Sequence, residues 1–296
     1  MAPSFIELNV RAARRSSSLA VEVIAFLVGA FAVTWATGSL ILLSNQSALL
    51  GRAPHPAQLA LPIGIAFTAL LVGDLGPALA ALVTVAVADG RRGVRELFGQ
   101  FARWRIGWHW YLLALIGPTA ISLVAVGVFV AAGGRMESSW IALQPGRIAL
   151  TAVGGWGEEL GWRGFAQPRL QGGIGAAPAA VLVGIMWSLW HQWQLAAPGG
   201  AAFAWDAAVW AMTYLISVSI LIAWIYNSTR ASLPSAIAAH VGINAVRFNP
   251  DPVAFVSIAF AVVAVVVVFI TGPKSLVRRG ALPPNPFETT GQGALE

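Results

Sequence analysis

The chain has no cysteine among its 296 residues, a single lysine at Lys274, and charged side chains at only 10% of positions. Without cysteine it can form no disulfide, no thiolate metal site and no cysteine nucleophile. So little charge excludes the solvated shell of an ordinary soluble domain. Hydrophobic residues at 57% and a mean hydropathy of +0.74 place the chain in a membrane. The formal charge of +6 is not a nucleic-acid signature, because the basic residues fall in short clusters between apolar runs and form no single stripe. No GxxxxGK(S/T) phosphate loop and no HExxH zinc helix is present.

What remains is a succession of apolar runs, each long enough to cross about 30 Å of hydrocarbon as a helix of roughly 20 residues. The expected spans are 19-43, 62-88, 109-132, 147-167, 176-197, 206-227, 232-248 and 253-271. The expected fold class is therefore all-α: a polytopic membrane helical bundle of about eight transmembrane helices around a polar intramembrane cavity. Residues 1-18 form a cytoplasmic N-terminal segment, 19-271 the bundle, and the Pro/Gly-rich stretch 272-296 a disordered cytoplasmic tail. Arg11, Arg14 and Arg15 precede the first run as in a signal peptide, but 19-43 is too long for a signal h-region, so it is read as a retained helix. Asp74 and the Gly76-Pro77 pair predict a kink or a re-entrant half in the second span. Between Gly90 and Trp108, Val94, Leu97, Phe98 and Phe101 recur at i, i+3, i+4, i+7 among arginines, the pattern of an interfacial helix.

With the N-terminus inside, 13 basic residues fall on the cytoplasmic side and only Arg52, Arg135, Arg147 and Arg247 on the other. Both termini are then cytoplasmic. The excess of Arg over Lys, with abundant Ala and Gly, is the bias of a GC-rich prokaryotic genome, which gives an integral protein of a prokaryotic plasma membrane.

Ionisable groups in a bilayer cost several kcal/mol and normally face a protein interior or a water cavity. Here Glu158, Glu159 and Arg163 lie in the fourth span, His191 in the fifth, and His240 with Asn244 in the seventh. Residues i and i+4 share a helix face while neighbours point about 100° apart. Glu159 can thus pair with Arg163 and fix the helix, leaving Glu158 free as a general base. His240 and Asn244 also share a face, where an imidazole and an amide suit a water, a metal, an oxyanion or a helix-helix contact. Glycines at 154, 155, 157, 161 and 164 are expected as close-packing positions.

Three motifs in order resemble those of the intramembrane CPBP proteases, a family that includes type II CAAX prenyl endopeptidases and bacteriocin-processing and bacteriocin-immunity proteins. EELGWR matches EExxxR, WSLWH matches FxxxH and HVGIN matches Hxxx(N/B), while GDLGPALAALV from Gly73 is similar to the second-helix segment. The likeness covers about 70-250. It implies that Glu158 and His191 hold and activate the attacking water, and that His240 and Asn244 stabilise the oxyanion. Glu159, Arg163 and Trp187 are structural support. Trp187 stands where the family usually has Phe, and a larger ring there narrows the cavity.

The expected function is an intramembrane endopeptidase, cleaving a hydrophobic or lipid-anchored peptide or protein near the cytoplasmic side, with membrane lipids as the other partner and no nucleic acid. No cofactor is required on this view. If zinc or another divalent metal is used instead, Glu158, His191 and His240 are its expected ligands. The alternative is a non-proteolytic membrane protein: an immunity or scaffold factor, or a transporter using Glu158 as a proton site.

Overall fold

The computed structural model describes residues 5–46, 59–137, 141–143, 145–192, 205–248, 252–277 and 284. Lipid offers the backbone no hydrogen bonds, so each apolar run satisfies its own amides by coiling. The helices are α1 (Phe5–Leu42), α2 (Ile63–Asp74), α3 (Gly76–Ala88), α4 (Gly90–Gly99), α5 (Trp108–Ala131), α6 (Pro145–Gly161), α7 (Gln167–Ile174), α8 (Ala176–Trp190), α9 (Trp205–Ser228), α10 (Leu233–Asn244) and α11 (Val253–Thr271). Among the described residues the strands are β1 (Ile141–Leu143) and β2 (Val246–Phe248), which pair antiparallel with Ala142 opposite Arg247.

The all-α membrane bundle expected from the sequence is present, with an adjustment to the number of crossings. Among the described residues four helices are long and apolar enough to cross a membrane alone: Leu19–Leu42 of α1, α5, Ala208–Ser228 of α9, and α11. α2 and α3 make a fifth as one span bent by 56°. α6, α8 and α10 occupy the other three expected spans but have only 17, 15 and 12 residues. They are largely inner helices, with exposed edges at Val153 and Trp156 of α6 and at Leu182 and Leu189 of α8. No residue of α10 is exposed, and ten residues of α8 are buried. A helix packed mostly against other helices needs little lipid-facing surface of its own.

The bend between α2 and α3 follows from the Gly-Pro pair. Pro77 has no N–H to give to the carbonyl of Gly73, four residues earlier. Thr34 of α1 supplies the missing donor, its Oγ1 lying 2.6 Å from the Gly73 oxygen. α6 packs into this elbow through glycine. A Cβ at Gly157 would stand 2.8 Å from the Asp74 carbonyl, and one at Gly161 would stand 2.7 Å from that of Pro77. Side chains there would push α6 away from the bend.

α6 runs through a π-helical turn, Trp162–Ala166, into α7. Such turns loosen the backbone ladder, and here Gln100 fills the gap, donating from Nε2 to the Gly164 carbonyl at 3.0 Å while its Oε1 accepts from the Tyr226 hydroxyl at 2.6 Å. The amphipathic segment expected after Gly90 therefore does more than lie on headgroups. Its Leu97 is fully buried, and Phe101 stacks on Trp156 of α6.

At the same end of the bundle Arg169 of α7 reaches Glu22 of α1 at 3.0 Å and Asp89 after α3 at 2.8 Å. Glu22 lies within the first expected span, and the sequence pattern did not single it out. α1 begins at Phe5, with its crossing part at Leu19–Leu42, and residues 272–277, expected in the tail, pack against the bundle. Ala176 N donates to the Lys274 carbonyl at 2.9 Å, Asn227 Nδ2 donates to that of Ser275 at 2.9 Å, and Leu276 is fully buried. Apart from Pro284, the tail from 278 onward lies outside the described residues, as does Arg52.

Candidate active site

The short inner helices enclose a cavity of about 240 Å³, lined by Asp74, Glu158, Trp187, His191, His240 and Asn244 among others. α6 contributes a stripe at i, i+3, i+4 and i+7: Thr151, Gly154, Gly155 and Glu158. Gly155 sets the width between α6 and α10, since a Cβ there would stand 3.0 Å from the His240 ring.

The two glutamates divide as helix rotation predicts. Glu159 and Arg163 are fully buried and joined at 3.0 Å, four residues apart on one face. His240 joins them across the helix interface, with Nδ1 at 2.8 Å from Glu159 Oε1. A carboxylate oxygen without a proton only accepts, so His240 Nδ1 is the donor. Its Nε2 faces the other glutamate, 3.8 Å from Glu158 Oε1. Sequence spacing placed His240 with Asn244 on the cavity wall, and both do line it. What spacing within one helix could not show is that His240 sits between the two carboxylates of another.

Trp187 organises this cluster with three different groups. Its indole N–H donates to Glu158 Oε2. Its ring lies under the Arg163 guanidinium, 4.8 Å from centroid to carbon, where a buried cation is attracted to the π face. Its backbone carbonyl is 2.9 Å from His191 Nδ1. A carbonyl accepts, so Nδ1 of His191 carries a proton and the Nε2 lone pair is left for the cavity. Phe at position 187 could supply the ring and the carbonyl but not the donor.

Asn244 gives one amide hydrogen to the His240 carbonyl at 3.2 Å. Among the described residues its second N–H and its Oδ1 have no partner, and the side chain lines the cavity. Asp74, at the C-terminal end of α2, is a lining residue that motif spacing missed. A Cβ at Gly154 would be 3.6 Å from Asp74 Oδ2, about one helix turn along α6 from Glu158. The signal was in the sequence, a carboxylate inside an apolar span beside a Gly-Pro break.

Two histidines and a carboxylate are donor types that zinc accepts. Here one donor atom of each is engaged, by Glu159, by the Trp187 carbonyl and by the Trp187 indole, which leaves His240 Nε2, His191 Nε2 and Glu158 Oε1. Among the described residues no three of His, Cys, Asp and Glu are arranged to hold a metal ion.

Residues 139–246, which include all of these groups except Asp74, match the family model described as Type II CAAX prenyl endopeptidase Rce1-like. The match covers 108 residues, about a third of the chain. Over 92 residues it is 34% identical to the CAAX prenyl protease 2 of Methanococcus maripaludis, an alignment that covers 29% of this chain and 34% of that protein. The chain thus spans about a third of the curated relative's length. The Rce1-like segment runs from β1 through α6, α8 and α9 to the start of β2, so it holds Glu158, His191, His240 and Asn244 together. α1 to α5 and α11 lie outside it.

Proposed function

We propose that this protein is an intramembrane endopeptidase of CAAX-protease type, hydrolysing a peptide bond of a membrane-associated peptide or protein. The observation that carries the proposal is the convergence of Glu158, His191, His240 and Asn244 from three inner helices on one cavity. The Rce1-like match over the same residues supports it.

The chemistry follows from which atoms are already bound. His191 Nε2 holds the water, because Nδ1 is occupied by the Trp187 carbonyl. Glu158, held by Trp187 through one oxygen, takes the water's proton with the other as the water oxygen adds to the scissile carbonyl. The oxyanion accepts from the free N–H of Asn244 and from His240 Nε2 when that ring carries both protons, with Glu159 behind it. As the C–N bond breaks, Glu158 returns the proton to the leaving amine. Glu159 and Arg163 keep the helix in rotation and do not touch the reacting atoms.

Glu158→Gln keeps the shape of the side chain and its bond from Trp187 but removes the base. Membrane-protein N-termini compared between cells carrying the native chain and cells carrying this variant are expected to lose a defined set of cleavages, with turnover of an identified substrate down by about 100- to 10,000-fold. Retained cleavage would overturn the assignment of Glu158. Because the activated water is held by Glu158 and His191, activity is expected to survive metal chelation; loss on chelation with recovery on added zinc would replace this mechanism.

The charge distribution also gives an orientation. We place both termini and the Arg-rich end on the cytoplasmic face of a prokaryotic plasma membrane, by the excess of basic residues in short loops at that end.

A further inference from the structure

The cavity lies away from the Arg-rich end of the bundle. That end is defined by contacts, not by sequence counting alone. Arg169 bonds to Glu22 and Asp89, Arg103 donates to the Arg230 carbonyl at 3.0 Å, and the Lys274 carbonyl accepts from Ala176. α1, α3, α7, α8, α9, α10 and α11 therefore all have a marker on one face of the bundle. Arg91, Arg92 and Arg95 of α4 belong to the same face.

Each cavity residue can be measured from that face at about 1.5 Å per helical residue. Glu158 is eleven residues before Arg169 along α6 and α7, about 16 Å, near the middle of a membrane some 30 Å thick. His191 follows the whole of α8, about 22 Å from Ala176. Asn244 ends α10, about 18 Å from its Ser232 cap. Tyr214 precedes the end of α9 by about 21 Å. Asp74 lies beyond the whole of α3 from Asp89. Exposure has the same polarity. Glu158 and His240, nearest the middle, are 7% and 3% exposed, whereas Thr151, His191 and Asn244, farther out, are half-buried.

We infer that the cavity opens toward the face opposite the Arg-rich end, which the positive-inside rule makes extracytoplasmic. The substrate class follows. It is a membrane-anchored peptide or protein whose scissile bond is presented from the extracytoplasmic side, after export of that segment. This inverts the cytoplasmic side expected from the sequence, where orientation was counted by loop but the depth of the site along each helix was not. The substrate assignment rests on the proposed hydrolysis; the direction of opening does not.

The absence of native cysteine makes the test direct, since one introduced thiol is the only one in the protein. Thr151 of α6 and Leu215 of α9 both line the cavity, so single Thr151→Cys and Leu215→Cys variants report it, Arg92→Cys the Arg-rich face and Arg135→Cys the opposite loop. A membrane-impermeant maleimide applied to spheroplasts is expected to label the Thr151→Cys, Leu215→Cys and Arg135→Cys variants at least tenfold more than Arg92→Cys, with the order reversed in inside-out vesicles. Two cavity reporters guard against one variant failing to fold. Labelling of the cavity variants from the Arg92→Cys side, or from neither side, overturns the inference. New N-termini that depend on Glu158 are expected in extracytoplasmic segments, and cytoplasmic ones overturn the substrate class. The labelling needs no hydrolysis, so it stands or falls apart from the Glu158→Gln result.

Discussion

α11 and α8 are both apolar helices, yet they solve opposite problems. α11 turns side chains such as Val262 and Val265 outward at 57% and 67% exposure, and only 22% of its crossing window is buried. α8 buries ten of its residues and ends on Trp187, Trp190 and His191. The outer helix is apolar because its solvent is lipid. The inner one is apolar because it packs, and it can carry polar groups wherever another inner helix meets them. Polar residues in α6 and α10 follow the same logic: Glu159 pairs with Arg163 and accepts from His240 across an interface that lipid does not reach. Length follows as well. A helix packed largely on neighbouring helices need not span the hydrocarbon by itself.

The sharpest way to break this contrast is Arg163→Ala in the inner layer. It strands the Glu159 carboxylate, fully buried, with only His240 for company. Leaving a buried charge unpaired is expected to cost about 3 to 5 kcal/mol. Thermal unfolding in detergent, together with the yield of monodisperse protein, should show loss of fold. A stable protein with merely slower turnover would mean that the pair serves catalysis and not architecture.

Trp187→Phe is a finer probe. It keeps the ring beneath Arg163 and the carbonyl for His191, and deletes only the donor to Glu158. A hydrogen bond to a charged group is worth about 1.5 to 3 kcal/mol, so kcat is expected to fall about tenfold or more with KM nearly unchanged. Unfolding temperature should move much less than for Arg163→Ala. If kcat holds and larger substrates are accepted, ring size is what matters at this position, as the sequence suggested.

Much of this was legible in the sequence, and the exceptions have physical causes. The i, i+4 spacing of Glu159 and Arg163 is a property of one helix, and it appears in the fold as a 3.0 Å pair. The glycines of α6 were legible as close-packing positions, but not their partner, because the carbonyls of Asp74 and Pro77 come from a bend 80 residues away in sequence. The bond from His240 to Glu159 was hidden for the same reason. Asp74 was visible as a charge in an apolar run, yet nothing local says which way a helix end points. Eight spans were expected where, among the described residues, four qualify alone and a fifth as a bent pair, because a hydropathy pattern does not separate a helix that faces lipid from one that faces other helices.

The smallest effect belongs to the outer layer. Val265 of α11 is 67% exposed, and its partner in the membrane is an acyl chain that deforms to fit. Val265→Leu adds apolar surface that lipid accepts as readily as before, so stability is expected to change by less than about 0.5 kcal/mol and activity not at all. The same enlargement inside is unlike it. Val183 of α8 is fully buried among close-packed neighbours, where an extra methylene typically costs about 1 to 3 kcal/mol. Measuring the two substitutions side by side in one detergent tests whether α8 is surrounded by protein and α11 by lipid. Equal costs would mean that α11 is covered by protein too, and the contrast between the layers would have to be redrawn.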